Sequence, residues 1–305
     1  MTEKESPDAP FDAALEGIRQ GRIEASLDAL VADLDRRRRG SSPEAWNHVV
    51  DRARAHPLSE RILRDPFVQR CFAKPRGYAP DGIALDYVLR ARERPKAGPA
   101  ESLHRRIVEG TTGRALRFRR DAIAREIDTC GARAARPARV FAAGAGHLRE
   151  CDRATAFGEG RIGSLVAFDP DAENLEHVRR DYPGLPIVAH HGSVLEFAEG
   201  RHLFGDLDLI YSSGMLESVP QAAAQGFTRT LFAMLAPGGK LFLTHFLSAL
   251  DEAGFLDAFL DWRMVYRNQS EVFDLAEELP PDTVSTWTYS ENPDGTMGVL
   301  AIQKR

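Results

Sequence analysis

Two glycines and one acid have the residue types and the spacing of a ligand site. Gly144 and Gly146 follow an apolar run at residues 139–143, and Asp169 closes a second apolar run 25 residues after Gly144. Glycines at the end of a strand let a ligand approach the backbone, and a carboxylate ending the next strand can accept hydrogen bonds from two ribose hydroxyls. The alternatives are an ordinary tight turn for the glycines and a helix N-cap for Asp169, which Pro170 follows.

The glycine turn departs from the dinucleotide-binding pattern G-x-G-x-x-G. Arg149 stands where the third glycine of that pattern would pack, so the sequence argues against a pyrophosphate cradle and against NAD. Arg149 itself has two interpretations, which are a solvated helix residue and a bidentate partner for a ligand carboxylate.

The second half of the chain must position these residues on a sheet. Strand-like segments lie at residues 139–143, 164–169, 185–189, 207–211 and 240–245, and helix-like segments lie between them at about 147–157, 171–181, 193–200 and 221–235. This alternation predicts a parallel doubly wound sheet. The β-rich segments at 284–289 and 297–304 flank Pro293-Asp294-Gly295, which predicts a terminal antiparallel hairpin.

The first half of the chain predicts a separate helical domain. Helical spacing covers about residues 11–35, 44–55, 82–90 and 101–130. Residues 65–81, rich in Pro, Gly, Arg and aromatics, are predicted to be a binding loop rather than a plain connection. Residues 92–100 predict a hinge, so we divide the chain into a cap domain at 1–100 and a second domain at 101–305.

Composition excludes several classes of protein. A net charge of −5 and a pI near 6.0 argue against a nucleic-acid partner. The lack of an 18-residue apolar run and of a leader pattern predicts a cytoplasmic protein without a membrane partner. Three widely spaced cysteines and nine scattered histidines predict neither a disulfide framework nor a metal site. A homodimer stays open.

The segment from about residue 135 to 305 resembles a class I S-adenosylmethionine (SAM)-dependent methyltransferase. The resemblance rests on residues 142–146, Asp169, His191-Gly192-Ser193-Val194, residues 208–214 and the Pro237-Gly238-Gly239 turn. It implies a Rossmann-like seven-stranded sheet with a C-terminal antiparallel hairpin and SAM as cofactor. The implied cofactor-binding residues are Ala143, Gly144, Gly146, Arg149, Asp169, Pro170, Gly192, Ser193, Val194, Ser212 and Ser213. Ser193 departs from the family, which often has Asp there.

A narrower resemblance covers both halves of the chain. Lys74-Pro75-Arg76-Gly77-Tyr78, Gly146-His147-Leu148-Arg149-Glu150 and Asp261-Trp262-Arg263-Met264-Val265-Tyr266-Arg267 are similar to motifs of a subgroup with a helical N-terminal extension. That subgroup methylates small metabolites, and we associate it with hydroxy-fatty-acid methyl esters and with bacterial S-methylation of methionine.

The subgroup motifs supply the candidate substrate residues. The catalytic candidates are Tyr78, Asp81, Trp262 and Tyr266, and the substrate-binding candidates are Arg76, Asp261 and Arg263. The polar cap favours a small zwitterion such as L-methionine over a 3-hydroxy fatty acid, whose chain needs an apolar tunnel. Attack by a thioether sulfur requires no general base, and an aromatic ring face would stabilise the sulfonium product.

Each of these candidates has a structural alternative. Trp262 and Tyr266, four residues apart, also fit core packing on one helix face. Ser212 and Ser213 also fit turn chemistry, and Glu217 fits a helix N-terminal acid better than a general base. At the level of the whole protein, the alternatives are a Rossmann dehydrogenase and a non-catalytic nucleotide-binding module.

Overall fold

The computed structural model describes residues 6–90, 95, 97–194 and 204–305, which divide into two compact units. Unit 1 comprises Met1–Arg114 and Leu250–Arg263, and unit 2 comprises Ala115–Ala249 and Met264–Arg305. Unit 1 therefore takes in a late segment of the chain that the predicted division at residue 100 assigns to the second domain.

Unit 2 contains a seven-stranded sheet with the order β3-β2-β1-β4-β5-β7-β6. The strands are β1 Ala138–Ala143, β2 Ile162–Asp169, β3 Ile187–His191, β4 Leu207–Ser213, β5 Leu235–Phe246, β6 Val284–Glu291 and β7 Met297–Lys304. Strands β1 to β5 are parallel, and β7 is antiparallel to both β5 and β6. The predicted Rossmann-like α/β sheet with a C-terminal antiparallel hairpin is confirmed.

Helices make up most of unit 1, and helices of unit 2 pack on both faces of the unit 2 sheet. In chain order they are α1 Ala9–Arg19, α2 Ile23–Gly40, α3 Pro43–Ala55, α4 Pro57–Ile62, α5 Pro66–Ala73, α6 Gly82–Leu89, α7 Gly98–Val108, α8 Thr111–Arg133, α9 Ala172–Asp181, α10 Gln221–Ala233, α11 Ala253–Phe255 and α12 Gln269–Asp274. A π-helical turn, Leu256–Leu260, continues α11, and 3₁₀ turns lie at Arg149–Asp152, Leu216–Ser218 and Pro281–Thr283.

Alternate residues of the central strands enter two different cores. Phe141 and Ile210 lie on one face of the sheet, packed with Phe227 and other residues of α10, whereas Val140 and Leu209 lie on the other face. Parallel sheets are stable only when both faces are covered, which explains the near-continuous apolar runs of β1 and β4. This packing fixes the carboxyl ends of the parallel strands at one edge.

The predicted binding loop at 65–81 is wrong in its first half, which forms α5. Asp65 Oδ1 accepts hydrogen bonds from the backbone N–H groups of Phe67 and Val68, both at 3.0 Å, and Pro66 occupies the first turn. An acid followed by proline is a strong helix-start signal, and the buried Phe67, Val68 and Cys71 supply the apolar face. Only residues 74–81 remain as a loop between α5 and α6.

The helix face that the sequence analysis gave to Trp262 and Tyr266 does not form. The π-helical turn ends at Asp261, whose backbone is left-handed with φ 49°, and residues 261–266 have no helical structure. A short polar side chain tolerates this conformation, which turns the chain out of the helix. Trp262 and Tyr266 therefore do not share a helix face, and they fall in different units.

Other predicted helices differ in extent. Residues 147–157 form only the 3₁₀ turn at 149–152, because Gly146 and Leu148 both have left-handed backbones. The predicted helix over 101–130 is two helices, α7 and α8. The hinge predicted at 92–100 falls partly outside the described residues, since 91–94 and 96 are not described and Gly98 begins α7. Most of the predicted helix at 193–200 is likewise outside them.

Candidate functional site

The turn after β1 has a backbone that only glycine adopts easily. Gly144 has φ 77° and Gly146 has φ 52°. A Cβ on Gly144 would lie 2.5 Å from Met215 Cγ, whereas a Cβ on Gly146 would meet no atom within 4 Å. The N–H groups of Gly144 and Ala145 both donate to the carbonyl of Phe168, at 3.0 and 2.9 Å. The turn is therefore fixed against the end of β2 and leaves open space beside Gly146.

Asp169 ends β2 directly beside this turn. Its Oδ2 accepts a hydrogen bond from the Gly146 N–H at 2.7 Å, and its Oδ1 accepts from the Asp171 N–H at 2.8 Å and from Asn174 Nδ2 at 3.2 Å. Burial raises the pKa of the Asp169 carboxyl, and these three hydrogen bonds act in the opposite direction. The carboxylate is thus held at the strand ends, where the sequence predicted it to meet the glycine turn.

The next predicted residues follow β3 and β4 at the same edge. Pairing of Asp169 with His191 brings Gly192 next to the end of β2, and the Gly192 N–H lies 3.4 Å from the carbonyl of Asp169. Pro170 and Ser193 are exposed, and Val194 packs partly against the core. Their predicted contacts with a cofactor stay predictions.

Two serines end β4 beside β1. Ser212 pairs with Ala143 in the sheet and is fully buried, and its hydroxyl has no hydrogen-bond partner within the part of the chain that is described. Ser213 is half-buried and pairs with Thr244 of β5. The turn-chemistry alternative does not account for the Ser212 hydroxyl, because that hydroxyl makes no turn hydrogen bond.

Arg149 lies buried in the 3₁₀ turn after β1. Its Nη1 donates to Asp181 Oδ2 at 2.7 Å and lies 3.5 Å from the Tyr182 hydroxyl, and its Nη2 lies 3.1 Å from His147 Nδ1. These contacts tie the turn to the end of α9. The solvated-helix alternative is excluded by burial, and the predicted role in holding a cofactor carboxylate stays a prediction.

A buried ionic cluster that the sequence analysis did not identify lies where β4 and β5 end. Arg119 of α8 points its Nη1 at Glu217 Oε1, 3.4 Å away, and its guanidinium lies 5.7 Å from the centroid of the Phe246 ring. Burial lowers the pKa of Arg119. The sequence feature that could have identified Arg119 as a buried residue is its position in the apolar stripe of α8, between the buried Leu116 and Ile123.

Arg267 and His245 complete this cluster. Arg267 is 1% exposed and donates to the carbonyls of Leu216 and Val219 at 2.9 and 3.0 Å, and it also bonds to Gln221. Burial lowers the pKa of His245, whose Nε2 lies 3.1 Å from the carbonyl of Val265. Arg267 therefore holds the loop after β4 in place through its carbonyl groups.

The predicted substrate residues of the loop at 74–81 lie in unit 1. Asp81 is 2% exposed and caps α6 by accepting from the Ala84 N–H at 2.8 Å. It also accepts two hydrogen bonds from Arg70, and Arg76 Nε lies 3.8 Å away. Tyr78 is 38% exposed. Asp81 thus has a structural role in addition to the substrate role that stays a prediction.

The late segment supplies the other predicted substrate residues. Asp261 accepts from Arg54 Nη2 at 2.6 Å and from Lys74 Nζ. Burial acts to raise the pKa of Asp261, but these two cations outweigh it and leave the pKa below its usual range. Arg263 donates to Asn47 Oδ1 at 2.9 Å, and Trp262 is 4% exposed. Tyr266 is half-buried and belongs to unit 2.

The described residues contain neither a metal-binding cluster nor a helix that could span a membrane. No group of three or more His, Cys, Asp or Glu side chains there has a metal-binding arrangement. Cys71, Cys130 and Cys151 are free thiols, and burial raises the pKa of each. None of the helices described is long and apolar enough to cross a membrane.

Known proteins match this chain at the level of family and fold. A family model described as a methyltransferase domain matches residues 115–279, which is more than half of the 305 residues. No curated protein matches in sequence.

Two solved structures are similar to this chain, and the first of them supports the fold. A possible exported protein from Bordetella parapertussis matches with a TM-score of 0.62 and 16% identity, over 87% of this chain and 99% of that one. The N-methyltransferase NodS from Bradyrhizobium japonicum, solved with S-adenosylhomocysteine, matches with a TM-score of 0.47 and 13% identity, over 73% of this chain and 97% of that one.

Proposed function

Since the chain belongs to the family of methyltransferase domains and is a SAM-dependent methyltransferase, we propose that it methylates a small polar metabolite, with the sulfur of L-methionine as acceptor. The observation that carries the cofactor site is the Asp169 carboxylate held 2.7 Å from the Gly146 N–H at the carboxyl ends of β1 and β2. Ligands of doubly wound sheets lie beyond this edge.

The residues at this edge fit the cofactor. Asp169 would accept hydrogen bonds from the ribose hydroxyls, and the open space beside Gly146 lets the cofactor lie against the backbone. Gly192, Ser193 and Val194 would lie near the adenine. When bound, SAM supplies a methyl group on a positively charged sulfur, which makes that carbon electrophilic.

Two of the three subgroup motifs meet within unit 1. Lys74, from the first motif, forms an ion pair with Asp261, from the third. Because these motifs are far apart in sequence, their contact supports a shared substrate-binding role. The charged side chains of this region suit a zwitterion better than the alkyl chain of a fatty acid.

The proposed reaction needs no proton transfer. The methionine thioether would attack with its own lone pair, so no side chain has to remove a proton. The bound cofactor would supply the electrophilic methyl group, and its sulfur would take back the bonding electrons to leave neutral S-adenosylhomocysteine. Positioning the sulfur in line with that bond would provide most of the rate. The ring of Trp262 or Tyr266 would stabilise the sulfonium product by about 0.5–2 kcal/mol.

The test supplies SAM with L-methionine and, separately, with 3-hydroxy fatty acids, and identifies products by mass spectrometry. We expect S-methylmethionine. A fatty-acid methyl ester without S-methylmethionine would replace the proposal by carboxylate O-methylation. Cofactor binding without product from metabolite extracts would indicate a non-catalytic module. If the sulfur product forms, Trp262→Ala should lower turnover more than cofactor affinity.

A further inference from the structure

Arg119 carries a buried guanidinium that makes one long hydrogen bond to the part of the chain that the structure describes. Its side chain is 8% exposed, and its one hydrogen bond to the residues described runs from Nη1 to Glu217 Oε1, at 3.4 Å. A guanidinium has five N–H donors in a planar fork, and buried polar groups are normally bonded. Most of the donors of Arg119 are therefore available to a ligand.

The carboxylate of Glu217 is also incompletely bonded. The residue is 4% exposed, and its Oε2 is buried with no hydrogen-bond partner among the residues described. A buried carboxylate oxygen without a partner costs stability, and binding of a ligand would supply the missing partner. The terminal torsion of a Glu side chain is soft, which lets the carboxylate turn either oxygen toward that partner.

This pair lies at the ligand edge of the sheet. Arg119 Nη1 is 3.6 Å from the position of a Cβ built on Gly214, the residue that follows β4. Gly214 has φ 93°, a backbone conformation that favours glycine, and its lack of a side chain leaves space beside the guanidinium. Both charges therefore lie where the adjacent strands β1 and β4 end.

The neighbouring charged groups already have other partners. Glu150 accepts a hydrogen bond from the Tyr211 hydroxyl at 2.6 Å, and burial raises the pKa of Glu150. Arg267 donates to backbone carbonyls and to Gln221. Arg119 and Glu217 are left as a guanidinium and a carboxyl group side by side, and each has donors or acceptors that no described residue uses.

We propose, building on the proposed methyltransferase function, that Arg119 and Glu217 together bind an α-amino-acid group. The ligand's carboxylate takes the available N–H donors of Arg119, and its ammonium donates to Glu217. A carboxylate and an ammonium on one carbon match an adjacent cation and anion, and the planar fork of Arg favours bidentate carboxylate binding.

Two ligands present this group in a methyltransferase. One is the methionyl end of the cofactor, and the other is an amino-acid acceptor such as L-methionine. The same chemistry serves both, so the experiment must separate them. S-adenosylhomocysteine carries the group, whereas 5′-methylthioadenosine has the same nucleoside and sulfur without it.

The experiment measures both ligands by calorimetry with the full-length wild type and with Arg119→Met, Glu217→Gln and Arg125→Met. Arg125 is an exposed residue of the same helix and is the matched control. If the cofactor is the source, Arg119→Met weakens S-adenosylhomocysteine binding about 10- to 100-fold, as lost charged hydrogen bonds predict, and leaves 5′-methylthioadenosine binding unchanged. Glu217→Gln gives a smaller loss in the same direction.

If the acceptor is the source, the affinities for both nucleosides stay unchanged and the KM for L-methionine rises about 10- to 100-fold. Unchanged nucleoside affinities with an unchanged KM in both variants would overturn the inference. Binding of 5′-methylthioadenosine also reports folding, and Arg119→Lys, which keeps the charge, replaces Arg119→Met if that binding is lost. Wild-type protein that binds neither nucleoside would instead contradict the proposed function.

Discussion

Buried charges have different surroundings in the two units. In unit 1, Asp81 is paired with Arg70 and caps α6, and Asp257 is paired with Arg38 and accepts from the Trp46 indole. In unit 2, the charges at the strand ends have fewer ionic partners. Asp169 is held by N–H groups, and the Arg119–Glu217 contact is 3.4 Å long.

The number of partners of a buried charge distinguishes residues that stabilise the fold from residues that bind a ligand better than residue type does. A buried carboxylate with a bidentate cation and a capped helix is already satisfied, so most of its interaction energy stabilises the fold. A buried charge with unused donors or acceptors gains most when a ligand arrives. By this criterion, the sheet edge of unit 2 is the stronger candidate for ligand contacts, and Asp81 is first of all a structural residue.

The largest effect is expected from removing residues 1–100, which leaves a chain that begins at Glu101 and tests whether the late segment of unit 1 needs the missing residues in order to fold. Gly254 packs against Leu34, and Arg54 donates to the carbonyls of Asp257 and Ala258, so the late segment of unit 1 would lose its partners. We expect this chain to be insoluble or to expose apolar surface, measured by sedimentation and dye binding. A soluble, cofactor-binding product would support the predicted cap at residues 1–100 as an independent domain.

Asp81→Asn should have the next largest effect. Removing this charge leaves Arg70 without its buried partner, and breaking such pairs costs about 3–5 kcal/mol. Urea unfolding measures the loss, with the exposed Asp51→Asn as control, for which we expect a change of about 0.5 kcal/mol or less. Wild-type stability together with lost turnover would show that Asp81 serves the substrate instead.

Asp169→Ala tests the sheet edge of unit 2. We expect cofactor binding to weaken by about 1–3 kcal/mol, because hydrogen bonds to a charged group are lost. Calorimetry with S-adenosylhomocysteine measures the change. Asp171→Ala, which removes the N-cap of α9 two residues away, is the control for disturbed local structure. Equal losses in the two variants would exclude a direct cofactor contact by Asp169.

His245 should produce the smallest effect, visible only as a pH dependence. Burial lowers its pKa in the folded protein below the value of about 6.5 that it has when unfolded. Its contribution to stability is therefore complete above about pH 6.5 and is lost as the pH falls toward the lowered pKa. The free energy of unfolding, measured by urea titrations between pH 7.5 and 5, should fall by about 1.4 kcal/mol per pH unit or less from this group. His245→Gln should flatten that slope. Parallel profiles for the two proteins would contradict this origin.

The sheet could be predicted because its signals are local. Apolar runs such as residues 139–143, the turn at Gly144 and Gly146, and the Asp294-Gly295 hairpin each act over a few residues, and strand pairing follows from the alternation of strands and helices. The same locality placed Asp169 beside Gly146, since Asp169 ends β2 and Gly146 lies in the turn that follows the adjacent parallel strand β1. The N-cap signal that starts α5, Asp65-Pro66, is equally local and is present in the sequence.

The sequence alone determined the fold class, the family resemblance and the meeting of Gly144, Gly146 and Asp169. The tertiary structure decided which charges are satisfied. Arg70 and Asp81 are close in sequence, but Arg119 and Glu217 are 98 positions apart. Many residues that meet in the core are likewise far apart in sequence. The hydrogen-bond partners of buried charges depend on how helices and strands pack. Packing involves the whole chain, so a short sequence motif cannot predict it. For that reason nothing in the sequence distinguishes Arg119 from the other arginines. Only the folded structure makes it a candidate ligand-binding residue.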